Sequence, residues 1–249
     1  MSFLVNNISG IFWAFAEVIL CLIFFVALLA TIVFILRGPL KKYKPVDMSL
    51  FSKLKSMRNS NTTGVMRAFS FVGKHDFLIP LNILLIFSFL FFGSNQWYAY
   101  RLIGMSLSSL LLMIMLKQLF KRKRPLAPII PAVKGKSFPS GHAIIAVNFY
   151  GLLLYTILQF NFNPSLKMLS AIFIPLLIFA IGFSRVYLQV HYASDVLAGF
   201  IIGICWFFIS LHILNRLEDF VTPRNTGPAK KSGTFQSRNN NHYKTTLLT

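Results

Sequence analysis

Acidic side chains are nearly missing from this sequence. Its 249 residues hold only six Asp and Glu against 25 Lys and Arg, a formal charge of +19 at neutral pH. So few carboxylates leave no oxygen cluster suited to a divalent cation. Cysteine is as scarce. Cys21 and Cys205 both fall inside apolar runs, give no disulfide framework and no zinc spacing, and read as packing residues. No internal repeat is present. Despite the charge, nothing resembles a nucleic-acid-binding module. The basic residues lie in loops and tails between apolar runs, which suits anionic lipid headgroups and phosphate.

What the chain has in excess is apolar length. It is 55% hydrophobic with a mean hydropathy of +0.66, whereas a soluble domain is about 45–50% apolar even with Gly counted. Six runs approach or exceed the ~18 residues of a transmembrane helix. They are roughly Ile11–Leu36, Phe77–Phe92, Trp97–Leu116, Ala143–Phe160, Leu166–Phe183 and Val196–Ile213. The expected fold class is all-α: a polytopic membrane protein with six helices in one bundle over residues 1–217. The first run is longer than a signal-peptide core and its leading residues carry no positive charge, so it reads as a retained helix. Residues 218–249, with Pro223, Gly227, Pro228 and Asn239-Asn240-Asn241, read as a polar, disordered tail.

Gly93-Ser94-Asn95-Gln96 and Asn161-Phe162-Asn163-Pro164-Ser165 are tight polar turns, so the runs they join are antiparallel neighbours. With six spans both termini share one side. Parity then places three motif-bearing segments on the other side: Lys117 to Pro125, Pro139 to His142, and Ser184 to Asp195. Residues 37–76 lie on that same face. Leu50, Phe51, Leu54 and Met57, then Val65, Met66, Phe69 and Val72, repeat at helical spacing among Lys53, Lys55, Arg58 and Arg67. Two short amphipathic helices in the membrane interface fit that pattern. A gate that admits a lipid and a plain surface connector fit it equally.

Ionisable groups beside membrane spans are costly and mark functional sites. His191 and Asp195 are i, i+4 and share a helix face. Asp195 can accept the proton of one ring nitrogen and leave the other free to attack. A helix-entry hydrogen bond is the plainer reading of that pair taken alone. Ser140 and Gly141 open the fourth run, where an N-cap and a side-chain-free residue expose backbone N–H groups to phosphate. His142 would stand beside the leaving oxygen as general acid. Lys117, Arg124 and Arg185 supply positive charge to non-bridging oxygens. Positive-inside signalling explains Lys121, Arg122 and Lys123 but not Arg185, an isolated cation between two spans. His75 and Asp76 read as interfacial, His212 as structural, and Glu17 as a rare intramembrane carboxylate. Three cations around the histidines would repel a metal ion, so the expected chemistry is metal-free hydrolysis of a phosphate ester on a lipid.

The three segments resemble the type 2 phosphatidic acid phosphatase superfamily, which also holds the vanadium haloperoxidases. Its signature K-x6-RP, PSGH, SR-x5-H-x3-D is met by Lys117 with Arg124-Pro125, by Pro139-Ser140-Gly141-His142, and by Ser184-Arg185 with His191 and Asp195. The resemblance implies an all-helical, metal-independent enzyme without cofactor. His191 would form a phosphohistidine, Asp195 would orient it, and His142 would protonate the leaving group. Lys117, Arg124, Ser140, Gly141 and Arg185 would hold the phosphate. The substrates it implies are phosphatidylglycerophosphate, undecaprenyl diphosphate, phosphatidic acid or lipid A. A haloperoxidase is disfavoured because those relatives are soluble. A non-catalytic lipid-phosphate binding or transport protein is the alternative, and the His191–Asp195 pair speaks against it.

Residues 37–76 carry nine basic residues, which the positive-inside rule places in the cytoplasm. The resemblance instead implies a multi-pass membrane protein, of the bacterial inner membrane, with its site facing the periplasm or extracytoplasmic side. An interfacial loop that recruits anionic lipid has its own reason to be basic. Asn61-Thr62-Thr63 is a glycosylation sequon only in a eukaryotic secretory setting.

Overall fold

The computed structural model describes residues 44–222 apart from 94, 126–127 and 131–134, and helical residues among 19–31. Seven helices follow in order: α1 Lys44–Ser56, α2 Ser60–Val72, α3 His75–Phe91, α4 Trp97–Phe120, α5 Gly141–Gln159, α6 Pro164–Tyr187 and α7 Ala193–Val221. Among the described residues there is no strand. The helices α4, α5, α6 and α7 are each long and apolar enough to cross a membrane. A fifth span results if α2 and α3, bent by 43° at Gly73-Lys74, count as one broken crossing. The first expected run, Ile11–Leu36, and the expected tail fall largely outside the described residues.

The helix α5 sits at the centre and packs against α4, α6 and α7. It forms the most buried part of the bundle, with Ala143, Ile144, Ala146, Phe149 and Leu152 all enclosed. Small residues let its neighbours approach. A Cβ on Gly199 of α7 would lie 2.9 Å from both the Ser140 carbonyl oxygen and Ala143 Cβ, a close approach typical of helices packed without a hydrophobic driving force. Phe25, from the helical residues before α1, is buried with Leu112, Leu116, Ile144 and Ile202. Its ring centroid lies 4.9 Å from that of Trp206.

The two expected turns are present. Asn95 Oδ1 accepts from the Trp97 N–H at 2.8 Å. Asn163 Oδ1 accepts from the Ser165 N–H at 2.9 Å, with Pro164 in the first turn of α6.

Two elements differ from the sequence expectation. The last helix runs to Val221 rather than ending near Ile213, so Glu218 belongs to α7 and not to the tail. Its carboxylate pairs with buried Arg101 of α4, which also donates to Asn215 Oδ1 at 3.1 and 3.0 Å. A buried cation needs partners, and they lie on the extra turns of α7. The second difference concerns α2. It packs along α6 and joins the bundle instead of resting only on its surface. Thr62 Oγ1 lies 2.6 Å from the Tyr187 hydroxyl, and the Tyr150 hydroxyl donates to the Val72 carbonyl at 2.9 Å.

Candidate active site

The chain folds back at the ends of four helices, and these ends meet on one face of the bundle. The first is the C-terminus of α4. Lys117 lies on its last turn and donates to the Lys136 carbonyl at 3.0 Å. Lys121 then adopts the left-handed conformation, φ 50°, which ends the helix and turns the chain sharply. Arg122 and Arg124 are thereby directed toward the start of α7. Arg124 is held by two carbonyls, Nη1 donating to Val190 at 2.9 Å and Nε to Gly135 at 3.2 Å.

The second is the N-terminus of α5. Ser140 is its N-cap residue and is fully buried, yet its hydroxyl caps nothing. The Ser140 N–H donates to the Asp195 carbonyl at 3.0 Å, which ties α5 to α7. Gly141 lies close against α4: a Cβ there would meet Met113 Sδ at 2.4 Å. His142 follows on the first turn. Lys117, Arg124, Arg185 and His191 are all near enough to act on it electrostatically.

The third and fourth are the C-terminus of α6 and the start of α7. Arg185 is buried and donates through Nη1 to Ser70 of α2. The Val190 and His191 N–H groups both donate to the Arg185 carbonyl, at 3.1 and 3.2 Å. This knot, with Gln189 at φ 56°, places His191 beside Arg124. His191 is 2% exposed. Its Nε2 lies 3.2 Å from Arg124 Nη1, and its Nδ1 lies 3.6 Å from Asp195 Oδ2. Arginine donates and never accepts, so Nε2 is the bare nitrogen and the ring proton sits on Nδ1, facing the carboxylate. Burial pulls the His191 pKa down to about 4, against the opposing pull of Asp195. The ring is therefore neutral at pH 7, as a nucleophile must be.

All eight residues singled out in the sequence meet here: Lys117, Arg124, Ser140, Gly141, His142, Arg185, His191 and Asp195. Ser140 Oγ, His142 Nε2 and Arg185 Nε are buried without a hydrogen-bond partner within the protein. Buried polar atoms are rarely left so, and three orphans in one site mark the place of a polar ligand. Among the described residues no group of three His, Cys, Asp or Glu side chains is placed to hold a metal ion.

Three residues here escaped the sequence reading. Arg122 donates to Asp195 Oδ1 at 2.5 Å, so it belongs to the site and is not merely a topology signal. Ser137 donates its hydroxyl to Asp195 Oδ2. Ser70 supports Arg185. Only Arg122 carried a signal, as a cation two residues before Arg124.

A lateral cavity of about 340 Å³ lies between α3, α4 and α5. Leu78, Ile83, Ile86, Ile103, Leu107 and Leu110 make it apolar. None of the eight residues lines it. His75 does, at the end of α3 next to the Gly73 bend, where a Cβ would lie 3.2 Å from the His142 ring.

The family model of the PAP2 superfamily matches residues 97–219. Phosphatidylglycerophosphatase B of Bacillus subtilis (strain 168) is 33% identical over 147 residues, covering 58% of this chain and 71% of that protein. Lipid A 4'-phosphatase of Bacteroides thetaiotaomicron is 31% identical over 120 residues, 46% of this chain but only 50% of that one. The crystal structure of a transmembrane PAP2 type phosphatidylglycerolphosphate phosphatase from Bacillus subtilis superposes with a TM-score of 0.67 at 26% identity, over 82% of this chain and 98% of that one. Aquifex aeolicus LpxE gives 0.52 at 27% identity, over 66% and 93%.

Proposed function

The chain belongs to the PAP2 superfamily, and from that premise we propose that it removes a phosphate monoester from a membrane lipid of the phosphatidylglycerophosphate type through a phosphohistidine. That it is an integral membrane phosphoric ester hydrolase follows from the family and the apolar helices. The observation that carries the finer reading is the cluster of orphaned polar atoms around a neutral, buried histidine. Substrate choice leans on the greater coverage of the phosphatidylglycerophosphatase relative.

In this reading the phosphate displaces Arg124 from His191 Nε2. Lys117, Arg124 and Arg185 then take its non-bridging oxygens, with the Ser140 hydroxyl and the backbone N–H groups opening α5. His191 Nε2 attacks phosphorus, and the bond to the lipid oxygen breaks in line. His142, doubly protonated once the anionic phosphate is bound beside it, gives its Nε2 proton to that oxygen and becomes neutral, and Asp195 balances the charge that develops on the His191 ring. His142 next takes a proton from water, whose oxygen attacks phosphorus. The P–N bond breaks, inorganic phosphate leaves, and His191 is restored. The lipid's acyl chain lies in the lateral cavity between α3 and α4, with its headgroup beside the Gly73 bend. The membrane domain has six spans in this reading, and the site faces the periplasm.

Phosphate release from a panel of lipid phosphates and diphosphates, with chelator present, tests the reading. Phosphatidylglycerophosphate is hydrolysed by the wild type and not by His191→Ala. Release that persists in that variant, or none from any lipid, overturns it. The second outcome would favour a binding or transport role for the same pocket.

A further inference from the structure

A buried chain of alternating charge joins α1 to the His191–Asp195 pair, and no step of the phosphoryl transfer uses it. Arg122 forks between two carboxylates. Its Nη1 donates to Asp195 Oδ1 at 2.5 Å and its Nη2 to Asp47 Oδ2 at 3.1 Å. Ser194 fills the angle between them. Its hydroxyl accepts from Arg122 Nη1 and donates to Asp47 Oδ2, both at 2.9 Å, and its N–H donates to Asp47 Oδ1 at 3.2 Å. The guanidinium carbon stands 4.1 Å above the Tyr192 ring, which stacks on Phe51 of α1 at 5.9 Å between centroids. Asp47 is 3% exposed, although Lys53 and Lys55 of the same helix face outward.

The geometry of the two Asp195 oxygens gives this chain its meaning. Oδ1 is held by Arg122. Oδ2 takes the Tyr192 N–H at 2.9 Å and the Ser137 hydroxyl, and faces His191 Nδ1 at 3.6 Å. Arg122 therefore sets the rotation of the carboxylate that meets the histidine. An arginine left with a single carboxylate prefers to grip both its oxygens, which would pull Oδ2 away from His191. Asp47 prevents this by claiming the second prong.

We propose that Asp47 and Arg122 are positioning residues for the phosphoryl transfer, and that α1 is through them a working part of the site. The inference rests on the phosphohistidine reading above. Arg122 differs from Lys117, Arg124 and Arg185 in holding the protein's own carboxylate and not the substrate. Its loss therefore acts on kcat and not on KM.

Steady-state kinetics of the full chain in detergent micelles containing phosphatidylglycerophosphate tests this. Asp47→Asn and Arg122→Gln each lower kcat about 10–100-fold with KM within about two-fold. Asp47→Glu, which keeps the second prong, restores most of kcat. The double variant is no slower than Arg122→Gln alone, because the two residues act in series. Lys53→Gln, on the outer face of α1, behaves as wild type. Wild-type kcat in Asp47→Asn overturns the proposal. A raised KM at unchanged kcat overturns it too, since Arg122 would then bind phosphate. Losses that multiply in the double variant, with no recovery in Asp47→Glu, show two independent structural defects and also overturn it. Turnover that survives His191→Ala is a different failure: it removes the phosphohistidine reading, and this inference with it.

Discussion

Arg124 fixes the tautomer of His191 and burial fixes its charge, so the residue's two sides have separate consequences. A histidine whose pKa falls to about 4 in the fold binds its proton more readily in the unfolded chain, whose value is near 6.5. Stability from this residue is complete above about pH 6.5 and declines as pH falls toward 4, by roughly 3 kcal/mol in all. Thermal unfolding in detergent at pH 7 and pH 4.5 reads this: the wild type loses more than His191→Ala does over that interval. The same shift keeps the nucleophile neutral in mildly acid solution. The acid limb of kcat/KM, corrected for ionisation of the lipid phosphate, bends well below pH 6.5. Arg185→Lys, which removes the planar fork, lowers kcat/KM by about 10²-fold in the same assay. The eight residues were legible because spacing and chemistry coincide in them. Arg122 was not, because Lys121-Arg122-Lys123 reads as a topology signal until the left-handed turn at Lys121 aims it inward. Asp47 had one overlooked mark: it is an acid in a segment of nine bases, within a chain that carries only six acids.

The central element is α5, and its contacts with α4 and α7 decide whether the motifs meet. Gly199 brings α7 against the start of α5, where a Cβ would meet the Ser140 carbonyl and Ala143 at 2.9 Å. Gly199→Leu forces Ser140 and Ala143 away from α7, destabilising the fold by about 1–3 kcal/mol. A lowered unfolding midpoint and reduced turnover, measured on the same detergent preparation, check this. Hydropathy located the helices α3 to α7 well, since lipid and bundle both demand apolar length. Their ends were less legible. The tail of α7 extends because Arg101, Asn215 and Glu218 satisfy one another across two helices, a pairing far apart in sequence. The amphipathic spacing in α2 was visible. Its partner was not, since a stripe of Val65, Met66 and Phe69 fits a membrane surface and a helix face alike.

Across the whole molecule, the convergence of the motifs follows from antiparallel topology: short turns at residues 93–96 and 161–165 alternate with the functional ends. The basic segment over residues 44–76 is part of the site from its inner face, reaching the His191–Asp195 pair through Asp47 of α1 and Arg185 through Ser70 of α2. The orientation of that face is open to a direct test. A cysteine at exposed Ser60, with Cys21 and Cys205 replaced by serine, is labelled by an impermeant reagent on spheroplasts if the site faces the periplasm. Labelling only after permeabilisation places the site in the cytoplasm.

The phosphoenzyme itself is the most direct test of His191 as the nucleophile. Wild-type protein is mixed with lipid carrying radiolabelled phosphate, quenched within one turnover in alkali, and digested. A phosphohistidine mechanism puts the label on His191, alkali-stable and acid-labile, with none in His191→Ala. Rapid phosphate release with no label on His191, or label on another residue, contradicts it.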